Sequence, residues 1–160
     1  MAAVNLNIDG LDEFNKKIAE LTDIKKVRSK GMSAARKAMK LVELSAKMGA
    51  AYIDDPETRE EIQKNIVIRA GKTRSLLTIG MRVGIRGGAA MNAKSNREKL
   101  SALPGGNTTH WRYIEFGTSN VPATPFMRPA LEQNVQKVTD EFTRSLMTSI
   151  EKAIAKGKIS

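Results

Sequence analysis

The segment from Trp111 to Asn134 constrains the fold of this chain most, because it concentrates turn chemistry just before a long amphipathic pattern. It holds three of the chain's five prolines: Pro122, Pro125 and Pro129. Each fixes φ near ~−65° and removes a backbone donor, and Gly117 can take angles that other residues avoid. Although aromatic residues make up only 4% of the chain, large apolar residues gather here: Trp111, Tyr113, Ile114, Phe116 and Phe126. We predict a rigid elbow over residues 111–130.

The pattern that follows the elbow predicts one long helix, which opens at Pro125-Phe126 and runs to about Lys156. Its apolar residues recur at spacings of three and four: Leu131, Val135, Val138, Phe142, Leu146, Ile150 and Ala153. This spacing places them on one face of a helix. Pro129 is compatible with the first turn, where its missing N–H needs no partner.

The N-terminal third predicts a short strand and two helices. Val4, Leu6 and Ile8 alternate with polar residues, which is typical of a half-buried strand. A helix over about residues 10–22 follows, and a second, longer one begins after Asp23 and ends near Tyr52. The predicted buried stripe of the longer helix comprises Val27, Ala34, Ala38, Leu41, Ser45 and Met48.

The middle of the chain predicts a turn, a β-hairpin and a long connection. Asp54-Asp55-Pro56 indicates the turn. Runs of β-branched and aliphatic residues on either side of Gly71–Arg74 predict the hairpin. In its second strand, one face carries Ile79, Met81, Val83 and Ile85, and the other carries Gly80, Arg82, Gly84 and Arg86. We interpret residues 87–109 as an insertion that becomes ordered on assembly, or not at all.

Together these patterns predict one α+β domain over residues 1–160. In it, a small antiparallel β-sheet packs against a long basic helix and a long C-terminal helix. A chain of 160 residues with 41% hydrophobic content can fill one core.

Positive charge dominates the chain, with a formal net charge of +10. Seven basic residues fall in the long first-half helix without an acid between them: Lys25, Lys26, Arg28, Lys30, Arg36, Lys37 and Lys40. Acidic residues crowd the next connection: Asp54, Asp55, Glu57, Glu60 and Glu61. The basic run could contact DNA or an acidic surface, help subunits dock around a ring, or form an ordinary solvated face. Composition does not decide among these.

No constellation in the sequence predicts catalysis, a cofactor or a metal site. The chain has no cysteine and one histidine, His110, which lacks the companions of a metal shell. The Gly-x-Ser-x-Gly turn and the phosphate-cradling glycine loop are both missing. Apolar runs are too short to span a bilayer. The N-terminus lacks the basic region, apolar stretch and cleavage site that are typical of a signal peptide. We expect a non-enzymatic protein without membrane partners that is made in the cytoplasm.

Two blocks of the elbow, Glu115 to Thr118 and Pro125 to Ala130, form a closely spaced motif together with Tyr113, Pro122 and Ala123. This motif resembles the signature of the tail-completion, or head-tail joining, family of long-tailed bacteriophages. Weaker similarity extends to Gly10–Phe14 and to the segment from Thr58 to Ile66, where Glu60 and Asn65 replace the family's usual Gly and Ser.

This resemblance implies a structural protein of the virion that forms a homo-hexameric ring in the neck or at the top of the tail. The implied partners are a tail terminator or tail tube protein on one side and a head-closure or connector protein on the other. DNA passing through the lumen is a further partner. A nucleic-acid-binding module that uses the basic helix over residues 25–40 is the alternative.

The predicted subunit or partner interface lies in the elbow. Its candidate residues are Trp111, Tyr113, Glu115, Phe116, Gly117, Thr118, Pro122, Pro125, Phe126, Arg128 and Pro129. For some of them a role inside the fold competes with contact. Arg128 suits an internal carboxylate as well as a neighbour's surface, Phe116 and Phe126 could be core residues, and Glu115 could cap a helix or pair with Arg112 or Arg128.

Overall fold

Six helices and two strands make up the described part of the chain. A computed structural model describes residues 24–54, 57, 58, 60–88 and 96–155. The elements are α1 (Ile24–Ala51), α2 (Ile62–Asn65), β1 (Ile66–Ala70), β2 (Met81–Ile85), α3 (Arg97–Ser101), α4 (Trp111–Phe116), α5 (Met127–Glu132) and α6 (Val135–Ala155). The predicted α+β class, with a small antiparallel sheet and two long helices, is confirmed. The strand predicted at Val4–Ile8 and the helix predicted over 10–22 lie outside the described residues.

Helix α1 has nearly the predicted bounds, but its buried side differs from the predicted stripe. The buried positions are Gly31, Ala34, Ala38, Val42, Ala46 and Ala50. Met48, predicted to be buried, is exposed. The first half of α1 packs on the C-terminal part of α6, and its second half packs on α2, β1 and α5. The buried side therefore turns around the helix axis along α1, and its small residues permit close approach.

The C-terminal segment forms two helices instead of the single predicted one. Helix α5 ends at Glu132 and α6 begins at Val135. At the break, the Asn134 side-chain amide donates to the Ala130 carbonyl at 2.9 Å. Asparagine commonly competes in this way with the backbone bonding of a helix. Leu131, predicted for the buried stripe, is exposed, whereas Leu146, Ile150 and Ala153 are buried as predicted.

The sheet is the predicted hairpin with a longer connection. Strands β1 and β2 pair in antiparallel register, with Ile66 opposite Ile85 and Ala70 opposite Met81. The apolar run after Gly71–Arg74, from which the second strand was predicted, begins at Leu76 and Leu77, but both residues lie in the exposed connection and β2 starts at Met81. Arg28 holds that connection by donating to the carbonyls of Ser75, Leu76 and Thr78.

Asn65 holds the connection that follows β2 in place. The sequence singled out Asn65 only as a departure from the family's usual Ser and did not predict this role. Its fully buried side chain donates to the Gly106 carbonyl at 2.9 Å and to Thr108 Oγ1 at 2.8 Å, and accepts from the Gly105 N–H at 3.0 Å. These bonds tie residues 105–108 to Asn65, and the interpretation of residues 87–109 as an insertion that becomes ordered on assembly stays a prediction. Residues 89–95 lie outside the described part.

Asp54, the first residue of the predicted turn Asp54-Asp55-Pro56, caps helix α2. Its carboxylate accepts from the N–H groups of Ile62 at 2.8 Å and Gln63 at 3.1 Å, so it caps the single turn of α2. Asp55 and Pro56 lie outside the described residues.

Candidate interaction surface

The elbow is held together by one buried carboxylate. Glu115, in the last turn of α4, is 1% exposed. Its side chain accepts from the N–H groups of Phe126 at 2.8 Å, Met127 at 2.9 Å and Arg128 at 3.0 Å, which are the free donors at the start of α5. Glu115 therefore caps α5 from eleven or more residues upstream.

Arg128 closes the contact from the other side. Its Nε donates to Glu115 Oε1 at 3.1 Å, and its Nη2 donates to the Glu115 backbone carbonyl at 2.7 Å. Of the two roles weighed for Arg128, the structure thus shows the internal pairing. About half of the side chain stays exposed, and the guanidinium lies 5.3 Å from the centroid of the Phe116 ring. Arg128 links α4 to α5 while still facing the surface.

The backbone between the two helices is also constrained. Gly117 ends α4 with φ 73°, and a Cβ there would lie 2.8 Å from the Ala123 nitrogen. The Thr118 N–H donates to the Val121 carbonyl at 2.8 Å, and the Thr124 N–H donates to the Ile114 carbonyl at 2.8 Å. Glycine alone tolerates this φ without strain, so the turn at Gly117 is present as predicted, and the rigidity of the elbow stays a prediction.

Burial opposes ionisation of Glu115, but the backbone N–H groups of Met127, Phe126 and Arg128, with the Arg128 side chain, outweigh it. They hold the pKa of Glu115 below its ordinary value of 4.5. A lowered folded pKa adds stability that is complete above the ordinary pKa and is lost as the pH falls through the folded value. We therefore expect the free energy of unfolding to decrease below about pH 4.5, as measured by urea titration. Glu115→Gln should flatten that decrease.

Glu141→Gln is the matched control for this prediction. The pKa of Glu141 is also lowered, by hydrogen bonds from Arg144 and Lys37, whose own side chains are largely exposed. Its effect should weaken more in high salt, which screens the two exposed cations, than that of Glu115, whose main partners are backbone N–H groups. Full wild-type pH dependence in Glu115→Gln would contradict the capping role.

The elbow exposes apolar side chains on this constrained backbone. Tyr113, Phe116 and Val121 are 64%, 61% and 57% exposed. We call these three residues the elbow patch. Trp111 lies beneath it, half-buried, with its ring centroid 6.2 Å from that of Phe116 and its Nε1 donating to the Gly88 carbonyl. Rigid exposed aromatic groups lose little entropy on binding, which favours them at interfaces.

The remaining predicted interface residues divide by burial. Phe126 belongs to the core and Glu115 is buried, so neither side chain is available to a partner. Phe116, for which a core role competed, is exposed. The others lie at least partly at the surface: Gly117, Thr118, Pro122, Pro125 and Pro129. Sequence reasoning missed Val121, whose only signal was an apolar residue between two turn-forming segments.

The seven basic residues predicted to form one surface on α1 do not all face a partner. Lys30, Arg36 and Lys40 are exposed, as are Lys25 and Lys26. Arg28 instead turns toward the β1–β2 connection, where it also donates to Thr73 Oγ1 at 2.8 Å. Lys37 lies 3.1 Å from Glu141 of α6, so an acid already faces it. The basic run therefore combines exposed lysines and an exposed arginine with two residues, Arg28 and Lys37, that contact other parts of the fold.

One cavity of about 380 Å³ brings polar side chains together near the elbow. It is lined by Ile53, Asp54, Thr58, Glu60, His110 and Ile114. His110 Nδ1 lies 3.5 Å from Glu60 Oε2, and both residues are partly exposed. The Asp54 carboxylate is occupied in capping α2. The geometry offers a surface contact between His110 and Glu60 beside an apolar wall, without an oriented nucleophile among the lining residues.

The described ranges contain neither a metal-binding cluster nor a membrane-spanning helix. No three histidine or carboxylate side chains of those ranges cluster in a way that could hold a metal ion. None of the helices from α1 to α6 is long and apolar enough to cross a bilayer.

Comparison with known proteins identifies one family. The HK97-gp10-like family model, described as "Bacteriophage HK97-gp10, putative tail-component", matches residues 12–117. The match includes α1, the hairpin and α4, and it ends inside the elbow. No curated protein and no solved structure matches the chain.

Proposed function

Because the chain belongs to the HK97-gp10-like family of phage tail components, we propose that it is a structural, non-enzymatic protein of the phage neck or tail top. There it forms a ring that completes the tail and joins it to the DNA-filled head. It is assembled in the host cytoplasm and remains in the virion.

The elbow patch is the observation that carries this proposal. Tyr113, Phe116 and Val121 are exposed on a segment whose shape is set by Glu115, Arg128 and Gly117. A preorganised apolar surface avoids the ordering cost of binding. Such a surface suits a protein whose task is to meet a neighbour in one orientation.

A second exposed apolar surface makes a ring possible. Leu44 and Met48 in α1 and Tyr52 directly after it are exposed at intervals of four, and we call these three residues the α1 patch. A ring of identical subunits needs two different surfaces on each copy, since head-to-tail contacts repeat around the axis. We propose that the elbow patch of one subunit contacts the α1 patch of the next, in six copies that match the tail tube.

The same ring has partners above and below. We propose a tail terminator or tail tube protein on one side and a head-closure or connector protein on the other. Each subunit alone binds weakly and stays dispersed through its net charge of +10. A tube end offers several contacts at once, so the ring forms there by multivalency.

Imaging of the protein on tails tests this proposal. Tails lacking this protein are incubated with the purified chain, and end rings are counted by negative-stain electron microscopy. Wild-type protein should add a ring to most tails. Phe116→Ser should raise the protein concentration needed to ring half of the tails by at least about tenfold, because loss of an aromatic hot spot costs about 2 kcal/mol or more and ~1.4 kcal/mol is tenfold in affinity.

Leu77→Ser is the matched control, since Leu77 is exposed in the β1–β2 connection, outside both patches. Circular dichroism should show both variants folded. Equal ring formation by Phe116→Ser and the wild type would refute the role of the elbow patch, and absence of wild-type rings would refute the ring itself.

The rival function is a nucleic-acid-binding module that uses α1. It is supported by the exposed lysines and arginines of residues 25–40, and it requires tight, salt-sensitive binding by the monomer. A gel-shift titration at two salt concentrations separates the two. Weak DNA binding by a protein that caps tails favours the ring, whereas tight monomer binding without tail capping favours the rival.

A further inference from the structure

The outward face of the hairpin carries a cluster of arginines. The hydrogen bonds from Arg86 N–H to Asn65 and from Gly71 N–H to Gly80 place Arg69 and Arg82 directly opposite each other in a hydrogen-bonded pair. Because side chains alternate along a strand, Arg86 and Gly84 share this face with them. The opposite face carries Val83 and Ile85, which pack on the core.

This face has a single sign of charge. From Ile62 to Arg97 the sequence contains no acidic residue and eight lysines and arginines. Within the described part of the chain, Arg69, Arg82 and Arg86 form no ion pair. Like charges directly opposite on two strands destabilise a sheet. The fold therefore tolerates a repulsion that a bound anion would relieve.

A hollow lies between the arginines. It measures about 270 Å³ and is lined by Val67, Arg69, Arg82, Gly84, Ile85, Arg86 and Gly87. The space above Gly84 is open, since a Cβ at this position would meet no atom within 4 Å. Glycine in a strand often marks a close approach by a ligand or another backbone.

We propose that this face, formed by Arg69, Arg82 and Arg86 around Gly84, binds phosphates of the DNA backbone. Guanidinium groups match the geometry of phosphate oxygens and can bind them bidentately. The lining offers no aromatic ring on which a base could stack, so the contact is to the backbone and is independent of sequence. This inference rests on the proposed ring, in which the hairpin face would line the DNA passage.

DNA fits this face better than an acidic protein surface does. DNA carries a phosphate charge about every 1.7 Å along its axis, so one duplex can pair all three arginines at once, and each guanidinium can bind a phosphate bidentately. The 62–97 segment, which supplies every residue lining the hollow, contains no acidic residue that would repel a phosphate.

The test measures binding of the purified full chain to a short labelled DNA duplex by fluorescence anisotropy. The titration is repeated between about 50 and about 200 mM salt. The combined variant Arg69→Gln, Arg82→Gln, Arg86→Gln should lose at least about tenfold in affinity at the lower salt. Its slope of log affinity against log salt should become shallower by about three.

The matched control removes the same charge elsewhere, through Lys30→Gln, Arg36→Gln and Lys40→Gln on the exposed side of α1. It should retain most of the affinity. Gly84→Glu supplies a second test, because it places a carboxylate in the hollow without removing an arginine. It should weaken binding as much as the triple variant does, whereas Gly84→Ala should bind as the wild type.

Several results would overturn the proposal. Equal losses in the two triple variants would show that only net charge matters. Unchanged DNA binding in the arginine variant, with loss of rings on tails, would assign the face to an acidic protein surface. Wild-type rings that bind no DNA would reject this inference while the ring stands. Arginine-dependent DNA binding without rings would reject the ring while this site stands.

Discussion

Replacing Gly105 with alanine is expected to lower the free energy of unfolding by at least ~3 kcal/mol. A Cβ at this position would lie 1.9 Å from the Glu61 carbonyl oxygen, which is backbone and cannot rotate away. Relief requires the loop to withdraw from α2. Withdrawal breaks the Glu61 N–H bond to the Gly105 carbonyl at 2.9 Å and the Gly105 N–H bond to Asn65 at 3.0 Å.

The loss extends beyond the steric contact. Asn65 is fully buried, so a withdrawn loop leaves its amide without partners, at a cost of about 1–3 kcal/mol for each unsatisfied group. Urea unfolding followed by circular dichroism measures the effect. Gly84→Ala is the control, because its added methyl meets no atom within 4 Å. Similar stabilities for these two alanine variants would show that the loop does not sit against α2.

Replacing Glu115 with alanine is the second change with a large expected effect, about 3 kcal/mol of lost stability. It removes the acceptor for the N–H groups of Phe126, Met127 and Arg128 at the start of α5. It also removes the negative charge that the helix N-terminus favours. The Arg128 guanidinium loses its partner in the same step.

Arg128→Ala distinguishes capping from simple ion pairing. In that variant Glu115 keeps its three backbone donors, and the deleted side chain is about half exposed, so we expect a loss of only about 1 kcal/mol. Glu43→Ala, which breaks the partly exposed bridge from Glu43 to Lys47, controls for deletion of a paired glutamate. Chemical unfolding of all three variants measures the order. Equal losses for Glu115→Ala and Arg128→Ala would contradict the capping role.

Local patterns predicted the elements that depend on neighbouring residues. The spacing of apolar residues indicated α1 almost to the residue, and alternation indicated the two faces of β2 with Val83 and Ile85 inward. The prolines and Gly117 indicated the constrained elbow. These features are readable because backbone geometry and side-chain period are set by the residues within one or two turns.

Contacts between distant residues were not readable in the same way. Met48 and Ala50 both suit a buried stripe, and only the change of packing partner along α1 decided between them. Leu131 and Leu146 lie on the same predicted apolar stripe. The helix is interrupted at Asn134, however, and Leu131 is exposed whereas Leu146 is buried. The spacing of apolar residues indicates a helix, but it does not show which element packs against each of its turns.

The candidate sites show the same division. The sequence by itself determined that the chain is strongly basic, lacks thiols and carries a proline-braced aromatic segment, since composition and dihedral restraints need no partner. Only the tertiary structure decided that Glu115 faces inward to cap α5, that Phe116 faces outward, and that Arg69, Arg82 and Arg86 share one hollow. Burial and proximity arise when separate segments meet, and no local period encodes which segments those are.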